Sequence, residues 1–322
     1  MDTRTLGRIL AAQRDLYLKD RDQILFVLAG SFRDAPIGRI FSQFPHDTVR
    51  IPAVKRPGQD YSLDEQLLEG KTVAWLISNV SISHSAATRK MLEKGMFLIS
   101  NPGITADWLE VLHPANRFRC TRNARRILKE IGGDVGGTIH VTAEDGTDLH
   151  LKVPYGNWTE ETGKREGHGT NGLFGELCTA PYGADGVYVL KPGDFLTNPL
   201  NRVREETRLE IRDNHVARIT GGEQAAMLIN MIDASPHFPR SLCLGEFAFG
   251  VNPGRPKRIL RSVVAEKMQG SIHIAIGTNS VCLREDCPDI KKFPYGGRYN
   301  AGVHIDCIKF GPKVSFNGIP IL

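Results

Sequence analysis

No run of the 322-residue sequence approaches the roughly 18–20 apolar residues that a membrane-spanning helix needs, so no membrane partner is expected. The opening stretch MDTRTLGRILAAQRDLYLKDRD carries acids and has no apolar h-region, so it does not read as a secretory signal. The excess of basic over acidic side chains is only +5, and the basic residues are scattered. Without a basic patch, a nucleic-acid partner is not expected. The six cysteines (Cys120, Cys178, Cys243, Cys282, Cys287 and Cys307) are dispersed and mostly sit in apolar stretches. Cys282 and Cys287 lack the second pair that a zinc site would need. These thiols are expected to be reduced and buried, as in a cytoplasmic protein. Neither GxGxxG nor GxxxxGK[ST] accompanies the apolar runs of the first half, which removes the usual nucleotide sites there.

What is present begins with an α/β rhythm. Apolar residues at Leu6, Ile9, Leu10, Leu16 and Leu18 predict an amphipathic helix over 3–20. Short apolar runs at 23–31, 48–54, 71–79 and 96–103 predict buried parallel strands, the second closed by a Pro57–Gly58 turn. Helices are predicted between and after them at 36–44, 83–95 (with a serine N-cap) and 105–112. Near Gly132 the rhythm changes to short strands separated by Gly, Asn and Pro turns. Alternating runs on either side of Asp145–Gly146 predict a β-hairpin, and 223–235 predicts the clear helix of this half. The expected fold class is α/β plus α+β. A parallel-sheet α/β scaffold domain is expected over 1–128 and a β-rich metal-binding catalytic domain over 129–322.

The chemistry concentrates between Cys243 and Asp306, in CLGEFAFGVNP, EKMQGSIHIAIG and NAGVHIDCIKF. His304 and Asp306 form an H-x-D pair; on a strand, residues two apart project from the same face. Taken alone, such a pair is a common chance occurrence. His273, between Ile272 and Ile274, could equally be a hydrogen-bonded core histidine, and Glu246 a solvated strand end. Together, two histidines and one aspartate suit a non-haem Fe(II) centre with open positions. With Glu246 added, a zinc or dinuclear hydrolytic site also fits. The glycine-rich stretch EGHGTNGLFGELCTAP (166–181) reads as a loop carrying two titratable groups, His168 and Glu176. Glu176 could serve as ligand or general base, and His168 as an acid–base or substrate-orienting group. Arg298 and Lys309 could neutralise a substrate carboxylate, but solvated surface charge is the expectation for both.

The blocks GTDLHLKV (146–153), TNGLFGELCTAP (170–181), LGEFAFGVNP (244–253), GSIHIAIG (270–277) and the H-x-D pair resemble the aminopeptidase T family and its 2,5-dihydroxypyridine 5,6-dioxygenase relatives. On the aminopeptidase side the resemblance implies a dinuclear centre at Glu176, Glu246, His273, His304 and Asp306, using zinc or cobalt. That side also implies a tyrosine near Ser280, which this sequence lacks. On the dioxygenase side it implies one Fe(II) on His273, His304 and Asp306, with O2 and a hydroxylated N-heteroaromatic as small-molecule substrates. The missing tyrosine favours the dioxygenase, with metal-dependent amide hydrolysis as the alternative. A homo-oligomer is expected from the same resemblance.

Overall fold

Ile24–Ala29 and Val73–Ser78 are buried along their whole lengths, as continuous apolar runs require when both faces of a parallel sheet are covered. The computed structural model describes residues 1–322 except 33, 36, 55–59, 84, 166–168, 198–199 and 281. The expected Pro57–Gly58 turn and His168 therefore lie outside the described residues. The chain divides into two units. The first comprises Met1–Arg117, Gly163–Phe174 and Gly254–Val264; the second comprises Phe118–Thr162, Gly175–Pro253 and Ala265–Leu322. The N-terminal unit thus takes in two short segments from later in the chain. The first of the passages between the units, after Arg117, falls inside a helix.

In the first unit the described strands form a five-stranded parallel sheet in the order His46–Ile51, Ile24–Ala29, Val73–Ser78, Phe97–Pro102 and Gly169–Asn171. The last of these belongs to the stretch expected as a loop. It becomes a strand because its backbone pairs with the open edge of Phe97–Pro102. The helix Thr3–Tyr17 starts at Asp2, whose carboxylate accepts from the Thr5 N–H at 2.8 Å, and Ser85 likewise caps Ala86–Glu93. The expected helices at 36–44 and 105–112 shrink to single turns, Ile37–Ile40 and Trp108–Val111. For the first, the packing of Phe41 against Phe26 and Trp75, centroids 4.8 Å from each, fixes the chain just beyond the turn.

A helix absent from the expectations spans Pro114–Glu130. Its buried apolar positions, Cys120, Ala124 and Ile127, are four and three apart, but basic residues crowd the remaining positions and mask the apolar stripe. Among the described residues no helix is long and apolar enough to cross a membrane.

The second unit holds two antiparallel sheets, each seven-stranded among the described residues. One runs His215–Gly221, Thr207–Arg212, Gly183–Leu190, Asp148–Val153, Gly137–Thr142, Lys313–Phe316 and Ile319–Pro320, and includes the expected hairpin. The other runs Asn201–Arg202, Phe195–Leu196, His304–Phe310, Ser271–Gly277, Leu244–Gly250, Glu176–Thr179 and Thr159–Glu161. The helix Glu223–Asp233 sits where 223–235 predicted it. Lys309 departs from its expected solvation: it is buried and paired with Asp145 and with Asp194, the latter at 3.3 Å. Its place in the strand explains this, since alternation turns it to the face opposite His304 and Asp306. All six cysteines are free and buried.

Candidate metal centre

The second of these sheets brings the sequence's ligand-type residues onto one face. Glu246, Ala275 and Asp306 form one cross-strand row; Ala248, His273 and Ile308 form the next; His304 pairs with Gly277. Glu246 reaches this face through a β-bulge. Leu244 pairs with Ile276 and Glu246 with Ala275, so Gly245 is the extra residue that shifts the alternation by one. A side chain at Gly245 would come within 2.3 Å of the Thr278 carbonyl oxygen, so the bulge needs glycine there. The small Ala275 leaves the space between Glu246 and Asp306 free of bulk.

Glu246 is the hub. Its Oε1 lies 3.2 Å from His273 Nε2 and its Oε2 lies 3.0 Å from His304 Nε2. His304 Nε2 is also 3.3 Å from Asp306 Oδ1. Two triples of donor atoms result, each with its atoms within 4.8 Å of one another: Glu246, His304 and Asp306, and Glu176, Glu246 and His273. Burial alone would raise the Glu246 carboxyl, but hydrogen bonds from the two imidazoles hold it well below the usual range. Burial would lower His304, yet Asp306 and Glu246 carry it well above an ordinary histidine.

The orientation of His304 is set from behind. Its Nδ1 lies 3.0 Å from the Thr278 carbonyl, which can only accept, so Nδ1 carries the hydrogen and Nε2 faces the carboxylates. Asp306 is held in the same manner: the Thr197 hydroxyl donates to Oδ2 at 2.9 Å, and the Asp306 N–H donates to that hydroxyl at 2.7 Å. Among the described residues the Nδ1 of His273 has no hydrogen-bond partner. Imidazole lone pairs facing ionised carboxylates are stable only with a cation between them, either a proton or a metal. Two imidazoles and several carboxylates with backed-up orientations suit a divalent ion, and the residues present fit one.

Glu176, expected on a loop, instead begins the strand Glu176–Thr179, whose pairing with Leu244–Gly250 buries it, with Oε1 3.8 Å from His273 Nε2. Its other oxygen is taken by Lys267, a buried ammonium that also meets Glu266 at 3.1 Å and Glu161 at 3.8 Å. Lys267, Glu266, Glu161 and Thr197 had not been singled out from the sequence. Glu266 and Lys267 stand next to the His273 block, but the pairing that brings Glu161 opposite Glu176 is visible only in the fold. Burial pushes Glu266 up to about 7 against the pull of Lys267. Cys178 and Cys282 lie next to Glu246, their ligand atoms within 4.8 Å of one another and of it.

Residues 64–255, more than half of the chain, match the 2,5-dihydroxypyridine 5,6-dioxygenase (NicX) family. The chain belongs to that family. The matched span includes Glu176 and Glu246 and ends before His273, His304 and Asp306. Among solved structures, 2,5-dihydroxypyridine dioxygenase from Pseudomonas putida KT2440 is similar at a TM-score of 0.69 and 18% identity. The alignment covers 99% of this chain and 96% of that one, so the two share their fold end to end. No curated protein matches the sequence. The family stands on the dioxygenase side of the resemblance drawn from the sequence; the aminopeptidase T side receives no support.

Proposed function

We propose that this chain is an Fe(II)-dependent dioxygenase that opens the ring of a hydroxylated N-heteroaromatic of the dihydroxypyridine kind. The observation that carries the reading is the clustered set of buried Glu246 and half-buried His304 and Asp306, with His273 on Glu246's other oxygen, in a member of a dioxygenase family. His273, His304, Asp306 and Glu246 would hold the ion. When bound, Fe(II) supplies the site at which O2 and a substrate hydroxyl can meet.

The chain's own residues do the rest. Thr278 and Thr197 keep His304 and Asp306 aimed, which limits the reorganisation the centre must undergo. Glu176, 3.8 Å from the His273 imidazole and tied to Lys267, is placed to hold or pass a proton beside the centre rather than to ligate. His168, outside the described residues, remains the expected acid–base partner on the same stretch of chain. The burial of Glu246 and His273 keeps bulk water from competing for those groups.

The test is protein purified without oxygen, loaded with Fe(II) and given 2,5-dihydroxypyridine. O2 uptake matching substrate loss one for one, with iron and uptake both abolished in His304→Ala, is the expected result. Loaded protein that consumes no O2 with any dihydroxypyridine, or that releases amino acids from peptides, overturns the reading.

A further inference from the structure

We propose that the Lys267 ammonium occupies the place of a second cation, so that this centre takes one divalent ion rather than two. The two donor triples share Glu246, and two triples joined by one carboxylate are the arrangement that seats a pair of ions about 3.5–4 Å apart. In the triple of Glu246, His304 and Asp306 the carboxylates face an imidazole, His304 Nε2 lying 3.0 Å from Glu246 and 3.3 Å from Asp306. The triple of Glu176, Glu246 and His273 has an ammonium against it: Lys267 pairs with Glu176 and is 1% exposed.

The surroundings show that this lysine is built in. Glu161 and Glu176 are direct cross-strand partners, a like-charge pair that is destabilising unless something positive lies between. Glu266 adds a third carboxylate. An ammonium offers three donors, and here three carboxylates surround it.

The backbone delivers Lys267 to that spot. Its carbonyl accepts from the Asn252 N–H at 2.8 Å, and the turn from Glu266 to Met268 lies directly on Gly250. A Cβ at Gly250 would sit 2.2 Å from the Met268 carbonyl oxygen and 2.8 Å from that of Glu266. With Glu176 committed to Lys267, Glu246 and His273 are left to serve the single ion.

This inference rests on the metal-centre reading above, and Mn(II) titration separates the two. Ions per chain are counted after gel filtration, and the Mn(II) electron paramagnetic resonance signal distinguishes an isolated ion from an interacting pair. Native protein is expected to hold one isolated ion. Lys267→Ala is expected to hold two, with the interacting signal, and Lys267→Arg one.

Should Lys267→Ala fail to fold, Lys267→Ala with Glu161→Gln removes the charge imbalance and carries the same expectation of two. No ion in the native protein sinks the metal centre itself. Two ions in the native protein, or a single ion in a folded Lys267→Ala chain, sinks the Lys267 inference alone.

Discussion

Thr197 and Asp306 hold each other twice at the side chain: the threonine hydroxyl donates to Oδ2 at 2.9 Å and accepts from the Asp306 N–H at 2.7 Å. A third link runs from the Thr197 N–H to the Asp306 carbonyl at 2.9 Å. The hydroxyl therefore fixes one carboxylate oxygen and leaves Oδ1 turned to His304. Thr197→Val keeps shape and backbone but removes both hydroxyl bonds. Loss of such an outer partner is expected to weaken divalent-ion affinity by roughly 10–100-fold. Thr197→Ser should restore most of it. Competition against a chelator measures the effect; affinity unchanged in the valine variant would show that Asp306 needs no such support.

The row Glu246–Ala275–Asp306 gives a second expectation. Directly opposed residues on neighbouring strands have Cβ atoms about 4.5–5.5 Å apart, so a larger side chain at 275 must enter the space between the two carboxylates. Ala275 is fully buried and cannot swing into solvent. Ala275→Leu should therefore empty the centre of metal while the far-ultraviolet circular dichroism stays close to native. Metal content after dialysis is the readout, and a variant that keeps its ion at native affinity would contradict the shared face.

Titration supplies a third. Burial would lower His273, but the hydrogen bond to Glu246 and the charges of Glu176 and Asp306 carry it up to about 9. A ligand must offer its lone pair, so the metal has to displace that proton. At pH 7.5 each bound ion should release at least one proton, measurable by calorimetry in buffers of different ionisation heat, and affinity should rise with pH toward 9. The sign for stability is opposite. Because the folded value lies above the ordinary 6.5, the metal-free protein has the full contribution below 6.5 and loses it as pH rises through about 9. The metal-free protein should thus melt lower at pH 9.5 than at 6.5, and the metal-loaded protein should show a smaller difference. Binding without proton release would mean that His273 is not displaced from its proton.

The legibility of the centre in the sequence followed the range of each interaction. His304 and Asp306 could be placed on one face because a strand's period is two, and their spacing is local. Glu246 was visible as a carboxylate beside glycine, yet its facing depends on the one-residue slip at Gly245, which shows only when Leu244 and Ile276 are seen to pair. Thr197 lies 109 residues from Asp306, and nothing in either neighbourhood announces the contact. Lys267 lies in the EKMQGSIHIAIG stretch, but its role depends on Glu161 and Glu176 standing opposite each other on strands distant from it in sequence. The fold behaved alike. Fully apolar strands such as Ile24–Ala29 could be read directly, whereas the helix Pro114–Glu130 hid behind its arginines.

Gly250 turns the Lys267 geometry into a fourth expectation. Its φ is not in the left-handed region, so backbone strain is not what requires glycine here; the requirement is space. A methyl group there would meet Met268 O at 2.2 Å, Ser271 Oγ at 2.3 Å and Glu266 O at 2.8 Å, two of them backbone atoms that cannot rotate away. Gly250→Ala should push the Glu266–Met268 turn off the strand and cost about 1–3 kcal/mol, as overpacking does. Gly38→Ala, with nothing within 4 Å of the added carbon, is the matched control and should be close to neutral. Thermal unfolding of the two metal-free variants measures the difference. Because the displaced turn carries Lys267, Gly250→Ala should also loosen the Glu161–Glu176 strand pair, read as faster amide hydrogen exchange over 159–161 and 176–179. Equal stability of the two variants would show that the turn can shift without cost, and that Lys267 is held less tightly than its surroundings suggest.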